Sequence, residues 1–508
     1  MLIRQRAFWA AIASGSSRLV ELALGFLLTP FILHRLGDEN YGLYVLVGAI
    51  IGQGALLDFG IAPALIKYVA EHSAKRDHER MRSLIATVQV LYCSIGLLTL
   101  LLTVALAAAL PYLFNVQALQ RDTATMVVLL MGARLAISIP CQTPWAVLWA
   151  LHKYGQANAI VALRTILTAA ATVAVLLLGG GIIGMVAVTI PVTLLIQLIF
   201  VWYARRVAPE ISFGFRGAGR EFAKVVVSYG ASMSFADIAY YIQAKSDEII
   251  IGAFLPVSAV SPYAIARRLG VLPQILAEQA LGGIVPLTSE LDAKGDSDRL
   301  RSLYMVGSRV TFSISISTAG VLIALAGPLL TVWVGADYAS YAPILLVLTL
   351  ACVAEISHWP GQVILQGLAR HHGLVVPYIC GAVAKLGLAV VLVRSLGLMG
   401  IALATMISSI ALSVIYVLPY TARTLRSSLL DLFKQAVLPA FIPALPMMGV
   451  LYSIVWAVEP IGLVTLGCTA FAGLVTYAFV YLIFCAGNAE RDLLRTALAK
   501  MRGNVEFT

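Results

Sequence analysis

Runs of twenty or more apolar residues recur along the whole chain, separated only by short polar corners. A helix rises about 1.5 Å per residue, so about 20 residues cross the roughly 30 Å hydrocarbon layer of a bilayer. Window hydropathy places about fourteen such spans, near 12–34, 41–66, 84–112, 122–150, 157–178, 181–204, 222–254, 258–288, 303–333, 341–368, 374–394, 398–420, 435–457 and 461–486. The longest connection, 205–220, is 16 residues of Arg- and Gly-rich sequence, too short to fold as a domain. Composition agrees. The 508 residues are 60% hydrophobic and 12% charged, with a mean hydropathy of +0.92, where a soluble domain carries about 25% charged residues. The expected fold class is an all-α polytopic membrane protein.

Lysine and arginine set the orientation. Of the 35 in the chain, 23 fall on one set of alternating ends, in clusters such as Lys75, Arg76, Arg80 and Arg82. The opposite ends hold Arg35, Arg121 and Arg394. The positive-inside rule makes the rich side cytoplasmic. Both termini are then cytoplasmic, as an even span count requires. The first apolar run lacks a small-residue cleavage site and is expected to remain as the first span. The net charge of +10 is therefore loop charge rather than a nucleic-acid surface. Trp145, Trp149 and Trp202, near cytoplasmic span ends, fit an interfacial belt.

One charged loop occurs twice. Glu71–Leu84 is EHSAKRDHERMRSL and Glu290–Leu303 is ELDAKGDSDRLRSL, with 8 of 14 residues identical at an offset of 219. Gly181–Met185 (GIIGM) and Gly397–Ile401 (GLMGI) match at an offset of 216. The two charged loops lie on the cytoplasmic side, six spans apart, and the two segments of the second match on the external side, which predicts parallel repeats. The expected organisation is an N-lobe at 1–204 (spans 1–6), a cytoplasmic linker at 205–221, a C-lobe at 222–421 (spans 7–12), and 422–508 with spans 13–14 and a cytoplasmic tail. Two six-helix lobes side by side are a transporter plan, with a substrate site between them near the midplane and alternating access. Intramembrane prolines, among them Pro30, Pro140, Pro273 and Pro360, supply places to bend. Gly48 and Gly52 form a small-xxx-small pair.

An ionisable residue deep in a span costs roughly 2.5–3.5 kcal/mol if it faces lipid. The spans hold eight basic residues (Arg18, Arg134, Arg164, Lys245, Arg267, Arg268, Arg309, Lys385) and seven acidic ones (Glu21, Asp58, Asp237, Asp247, Glu248, Glu278, Glu355). They must face a polar interior or each other. Arg18 with Glu21, and Lys245 with Glu248, are three apart on one helical face, so internal ion pairs compete with a substrate role. Arg134, Arg164, Arg309 and Lys385 have no acid within a turn. With Arg18 and the adjacent Arg267–Arg268 they are candidates for a cationic, phosphate-gripping cavity. Asp58 and Glu355 are candidates for ion or proton coupling; a structural hydrogen-bonding role competes for both. His358, three after Glu355 and near Pro360, is read first as a partner for freed backbone groups.

No Walker-type phosphate loop is present, so ATP hydrolysis by the chain itself is not expected. The six cysteines fall within or beside apolar runs, without the spacing of a disulfide framework or metal site. No cofactor, metal or catalytic constellation is expected.

The residues P-F-I-L-x-R-L-G-x-x-x-Y-G-L-Y at Pro30–Tyr44 and L-L-D-F-G-I-A-P-A-L at Leu56–Leu65 resemble the oligosaccharide flippases of the polysaccharide transporter (Wzx-like) family. That family lies in the multidrug/oligosaccharidyl-lipid/polysaccharide exporter superfamily. The resemblance implies a 6+6+2 span plan in a bacterial inner membrane. It implies translocation of an undecaprenyl-pyrophosphate-linked oligosaccharide from the cytoplasmic to the periplasmic leaflet, with the head group in a cationic cavity and the tail in the bilayer. Membrane lipids and polysaccharide polymerase or export machinery are the implied partners. The alternative is a drug/cation antiporter of the multidrug (MATE) type. Such a transporter prefers isolated acids and aromatic walls.

Overall fold

The computed structural model describes the backbone of residues 2–486 except 59, 115, 118–119, 210, 212, 282–283 and 459–461, and their side chains except those of 2–19, 55, 111, 229, 231–244 and 371. The described backbone is helical, in the order α1 (Leu2–Gly52), α2 (Ile61–Ala74), α3 (His78–Leu113), α4 (Arg121–Ser138), α5 (Gln142–Ala150), α6 (Tyr154–Leu177), α7 (Gly181–Ala187), α8 (Thr189–Val207) and α9 (Arg220–Phe254). There follow α10 (Val260–Gly270), α11 (Leu272–Gln279), α12 (Ile284–Ala293), α13 (Ser297–Ala324), α14 (Ala326–Val334), α15 (Ala342–Ile356), α16 (Trp359–Gly367) and α17 (Val375–Ala411). A π-helical segment at Leu412–Val417 leads into α18 (Leu418–Thr424), then α19 (Leu429–Leu432), α20 (Leu438–Phe441), α21 (Ala444–Val458) and α22 (Leu463–Val480).

Ten of the runs among the described residues are long and apolar enough to cross a membrane. Two of them, Val20–Ala74 and His372–Thr424, have 55 and 53 residues. At about 1.5 Å per residue each is roughly 80 Å long, enough for two crossings. Positive-φ glycines turn them, Gly37 (74°) and Gly60 (68°) in the first and Gly397 (57°) in the second. Large apolar side chains such as Leu178, Trp456 and Phe484 are exposed. A soluble surface would not carry so many, and a lipid-facing one does. The chain is a multi-pass membrane protein.

The expected span at 258–288 is not one rod. It breaks at Val271, with Pro273 in the first turn of α11. The span at 341–368 likewise breaks at Ser357–His358, with Pro360 in the first turn of α16. A proline lacks the N–H that would continue the ladder, so the preceding turn ends there. Close approach of helices falls elsewhere than at Gly48 and Gly52. A Cβ on Gly42 would lie 2.3 Å from the Val257 carbonyl oxygen, whereas one on Gly48 would meet nothing nearer than the Met131 methyl at 3.7 Å.

The repeated charged loop folds the same way both times. After α2, Arg76 adopts a left-handed φ of 55°; after α12, Gly295 adopts 68° at the equivalent position. Asp77 and Asp296 then cap the next helix, accepting the backbone N–H of Arg80 and of Arg299 at 3.1 Å in each case. Lys75 pairs with Glu71 at 2.6 Å and Lys294 with Glu290 at 2.5 Å. Such exposed pairs contribute about 0.3–0.5 kcal/mol each, while a helix N-cap contributes about 1 kcal/mol. Asp and the left-handed turn therefore carry the recurrence more than the ion pairs do. Gly181 and Gly397, matched in the second repeat, have φ of 56° and 57°.

The chain forms two compact units, residues 1–264 with 386–401, and residues 265–385 with 402–508. This grouping by contact is a different partition from lobes drawn by sequence repeat. In the first unit, Leu65 and Val69 of α2, Leu84, Val88 and Tyr92 of α3 and Val147 of α5 form an apolar core. In the second, Tyr304, Phe312 and Ile316 of α13 pack with Met447 and Leu451 of α21 and Tyr477 of α22.

Candidate functional site

In the first unit, α1 packs along both α4 and α6. The three helices bring Arg134 (α4), Arg164 (mid-α6) and Glu21 (α1) into one neighbourhood, in which Arg164 lies within electrostatic reach of both Arg134 and Glu21. Both guanidiniums are exposed rather than packed into the core. Two cations 30 positions apart in sequence thus become neighbours. Each raises the local positive potential felt by the other, and Glu21 offsets part of it.

Arg164 also lines a cavity of about 430 Å³, walled by α5, α6 and α8. Its other polar lining includes Gln142, Asn158 and Gln197, and no lining residue is acidic. Trp145, expected in an interfacial belt, forms part of this wall with Phe200.

Asp58 ends the 3-10 segment Gln53–Asp58 that follows α1. Its carboxylate accepts from the buried Tyr92 hydroxyl at 2.6 Å and from the Ala62 backbone N–H. It thereby ties the start of α2 to α3. Asp247 is fully buried in the same unit and accepts from Tyr263 Oη at 2.8 Å. The side chains of Arg18 and Asp237 lie outside the described residues.

The remaining candidates belong to the second unit. Arg267 is half-buried and Arg268 exposed at the end of α10. Arg309, half-buried on α13, lies within electrostatic reach of Cys485, at the end of the segment that follows α22. Lys385 is 1% exposed on α17. Glu355 of α15 and Glu278 of α11 both lie within electrostatic reach of Cys352, and Glu278 accepts from Gln274 Nε2 at 2.8 Å. The two acids are 77 positions apart, and no sequence signal pairs them. No cluster of metal-ligating side chains occurs among the described residues.

His358 sits at the helix break before Pro360, 3% exposed. Its Nδ1 is 2.7 Å from Ser413 Oγ and its Nε2 is 3.3 Å from Tyr378 Oη. Tyr378 donates to Gln362 Oε1 at 2.7 Å. The partner Ser413 lies in the π-helical segment, where an extra residue per turn re-aims side chains. Its hydroxyl is side-chain chemistry that window hydropathy does not register.

Polar groups gathered inside a bundle of lipid-length helices define the class: a polytopic helical membrane transporter fold. Among solved structures the chain is similar to the lipid II flippase MurJ in an inward closed conformation, with TM-score 0.70 and 15% identity, covering 96% of this chain and 99% of that one. It is also similar to an inward-facing multidrug resistance transporter of the MATE family in the MOP superfamily, with TM-score 0.68 and 16% identity, covering 84% of this chain and 99% of that one. At these identities the likeness is one of fold. By sequence it is 23% identical over 508 residues to the uncharacterized membrane protein EpsK of Bacillus subtilis (strain 168), covering 96% of this chain and 97% of the relative. The family model described as polysaccharide biosynthesis protein matches residues 8–292. The chain belongs to that polysaccharide biosynthesis protein family.

Proposed function

We propose that this protein is a flippase that carries an undecaprenyl-pyrophosphate-linked oligosaccharide from the cytoplasmic to the periplasmic leaflet of a bacterial inner membrane. Fourteen spans, cytoplasmic termini and two six-helix lobes that alternate access complete the reading. The observation that carries it is the convergence of Arg134 and Arg164 beside a cavity without acidic lining. Guanidinium groups grip phosphate oxygens bidentately, so two of them suit a diphosphate. Their joint neighbourhood with Glu21 is what inward-facing charges require; a lipid-facing arginine would be costly. Membership of the polysaccharide biosynthesis family supports a glycan substrate. Asp58 and Glu355 are the proposed coupling residues. Arg18, Arg267, Arg268, Arg309 and Lys385 are proposed as further cationic contacts along the path.

The test is deletion of the gene. Lipid-linked repeat units should accumulate on the cytoplasmic leaflet and surface polysaccharide should be lost. Restoring wild type should reverse both, whereas Arg134→Ala or Arg164→Ala should lower export about 10- to 100-fold, the worth of one charge-assisted hydrogen bond. Normal export from both variants at equal membrane levels would remove the site. The antiporter reading keeps one observation, the gathering of Glu278 and Glu355 around Cys352. Drug resistance conferred by expression, with no change in surface polysaccharide, would favour it.

A further inference from the structure

The cavity that Arg164 lines adds three uncharged amides to that one cation, and the amides point to what it holds. We propose that the space walled by α5, α6 and α8 is a sugar subsite that takes an uncharged pyranose unit of the transported glycan, recognised by Gln142, Asn158 and Gln197. This rests on the flippase reading above and names which part of the substrate binds there.

Asn158 carries the inference. It is 8% exposed, it lines the cavity, and its Nδ2 has no hydrogen-bond partner among the described residues. A buried amide N–H left unmatched is costly, so the site is built to receive an acceptor. A ligand hydroxyl that reaches Asn158 would supply that acceptor. The hydroxyls nearby are already committed: Ser138 donates to the Leu135 carbonyl at 2.9 Å and Thr193 to the Thr189 carbonyl at 2.7 Å. Free capacity therefore resides in the three amides, each of which both donates and accepts.

That pattern selects among ligand classes. A phosphate only accepts, and would leave the amide carbonyls unmatched. An organic cation would meet Arg164 and no carboxylate. An acyl tail would leave every amide unpaired. A sugar ring donates and accepts through each hydroxyl, and its C–H faces match the Trp145 and Phe200 walls. The volume of about 430 Å³ falls within the range of about 300–1,000 Å³ usual for small-molecule sites.

Cys141 lines the same cavity and supplies the readout. A variant with Cys141 as its one cysteine, in nanodiscs, is labelled with a maleimide in the presence of two probes. One is the lipid-free oligosaccharide released by mild acid from the accumulated lipid-linked pool; the other is inorganic pyrophosphate. The oligosaccharide should slow labelling and pyrophosphate should not. Asn158→Leu and Gln197→Leu should each raise the half-protecting concentration about 10-fold, the loss of about one hydrogen bond. Protection by pyrophosphate alone would overturn the subsite in favour of an anion site, and absence of protection by either would overturn it outright. These two outcomes are read without either leucine variant, since the probes compete at an unaltered set of amides. Failure of the gene to restore polysaccharide export in the deletion strain would instead sink the flippase reading, leaving a sugar-protected Cys141 as support for the subsite alone.

Discussion

Replacing Ser413 by alanine should destabilise the second unit through the orphaning of one imidazole nitrogen. Ser413 Oγ lies 2.7 Å from the Ser409 carbonyl, 2.8 Å from the Ala354 carbonyl and 2.7 Å from His358 Nδ1. A hydroxyl has a single proton, and carbonyls only accept. Tyr378 spends its one proton on Gln362, so its Oη accepts from His358 Nε2–H, and Nδ1, the ring's other nitrogen, accepts the serine proton. Loss of the hydroxyl leaves the Ala354 carbonyl with Ser357 Oγ, which donates to it at 2.7 Å. It leaves imidazole Nδ1 with no donor, on a residue 3% exposed between helices. That costs about 1–3 kcal/mol. Unfolding entropy of about 2.1 cal/mol/K per residue, over 508 residues, makes 1 kcal/mol worth about 1 °C, so the apparent Tm of the purified protein should fall by about 1–3 °C. His358→Phe removes the acceptor and leaves Tyr378 still bonded to Gln362. The double variant should then cost less than the sum of the singles by about 1–3 kcal/mol. Strict additivity, or a Ser413→Ala Tm equal to wild type, would refute the donor assignment.

Gly295→Val should destabilise by about 1–2 kcal/mol, because its φ of 68° is left-handed; Arg76→Gly, at the equivalent turn with φ 55°, should be neutral or stabilising, and paired thermal melts check both. Gly42→Ala should cost about 1–3 kcal/mol of packing strain, since its Cβ would press to 2.3 Å from the Val257 carbonyl; normal yield and melting of this variant would contradict the close approach. Tyr92→Phe removes the hydroxyl that Asp58 accepts from at 2.6 Å and should cost about 1–2 kcal/mol in the melt. If Asp58 serves coupling rather than tethering, the same variant should alter export without moving the Tm.

Sequence alone reaches the membrane class, the helical spans and the recurring loop. Each of these is local. Hydropathy sums a transfer free energy over one segment, and the turn at Arg76 or Gly295 is built from residues within a few positions of it. The basic loop ends and the Pro30–Tyr44 and Leu56–Leu65 motifs likewise carry their meaning in place, and they lead to the polysaccharide biosynthesis family whose model matches residues 8–292.

The sites are decided only in three dimensions. Arg134 and Arg164 are isolated along the chain, and packing on α1 makes them neighbours with Glu21. Arg309 and Lys385 carry the same sequence signature, yet one lies near Cys485 and the other is buried in the second unit. Gln142, Asn158 and Gln197 carry no charge and belong to no motif, so nothing local marks them as lining one cavity. Soluble helices reveal their inner face through an apolar stripe. In lipid both faces are apolar, so rotation of each helix about its axis is set by close packing with its neighbours rather than by any periodicity in its residues.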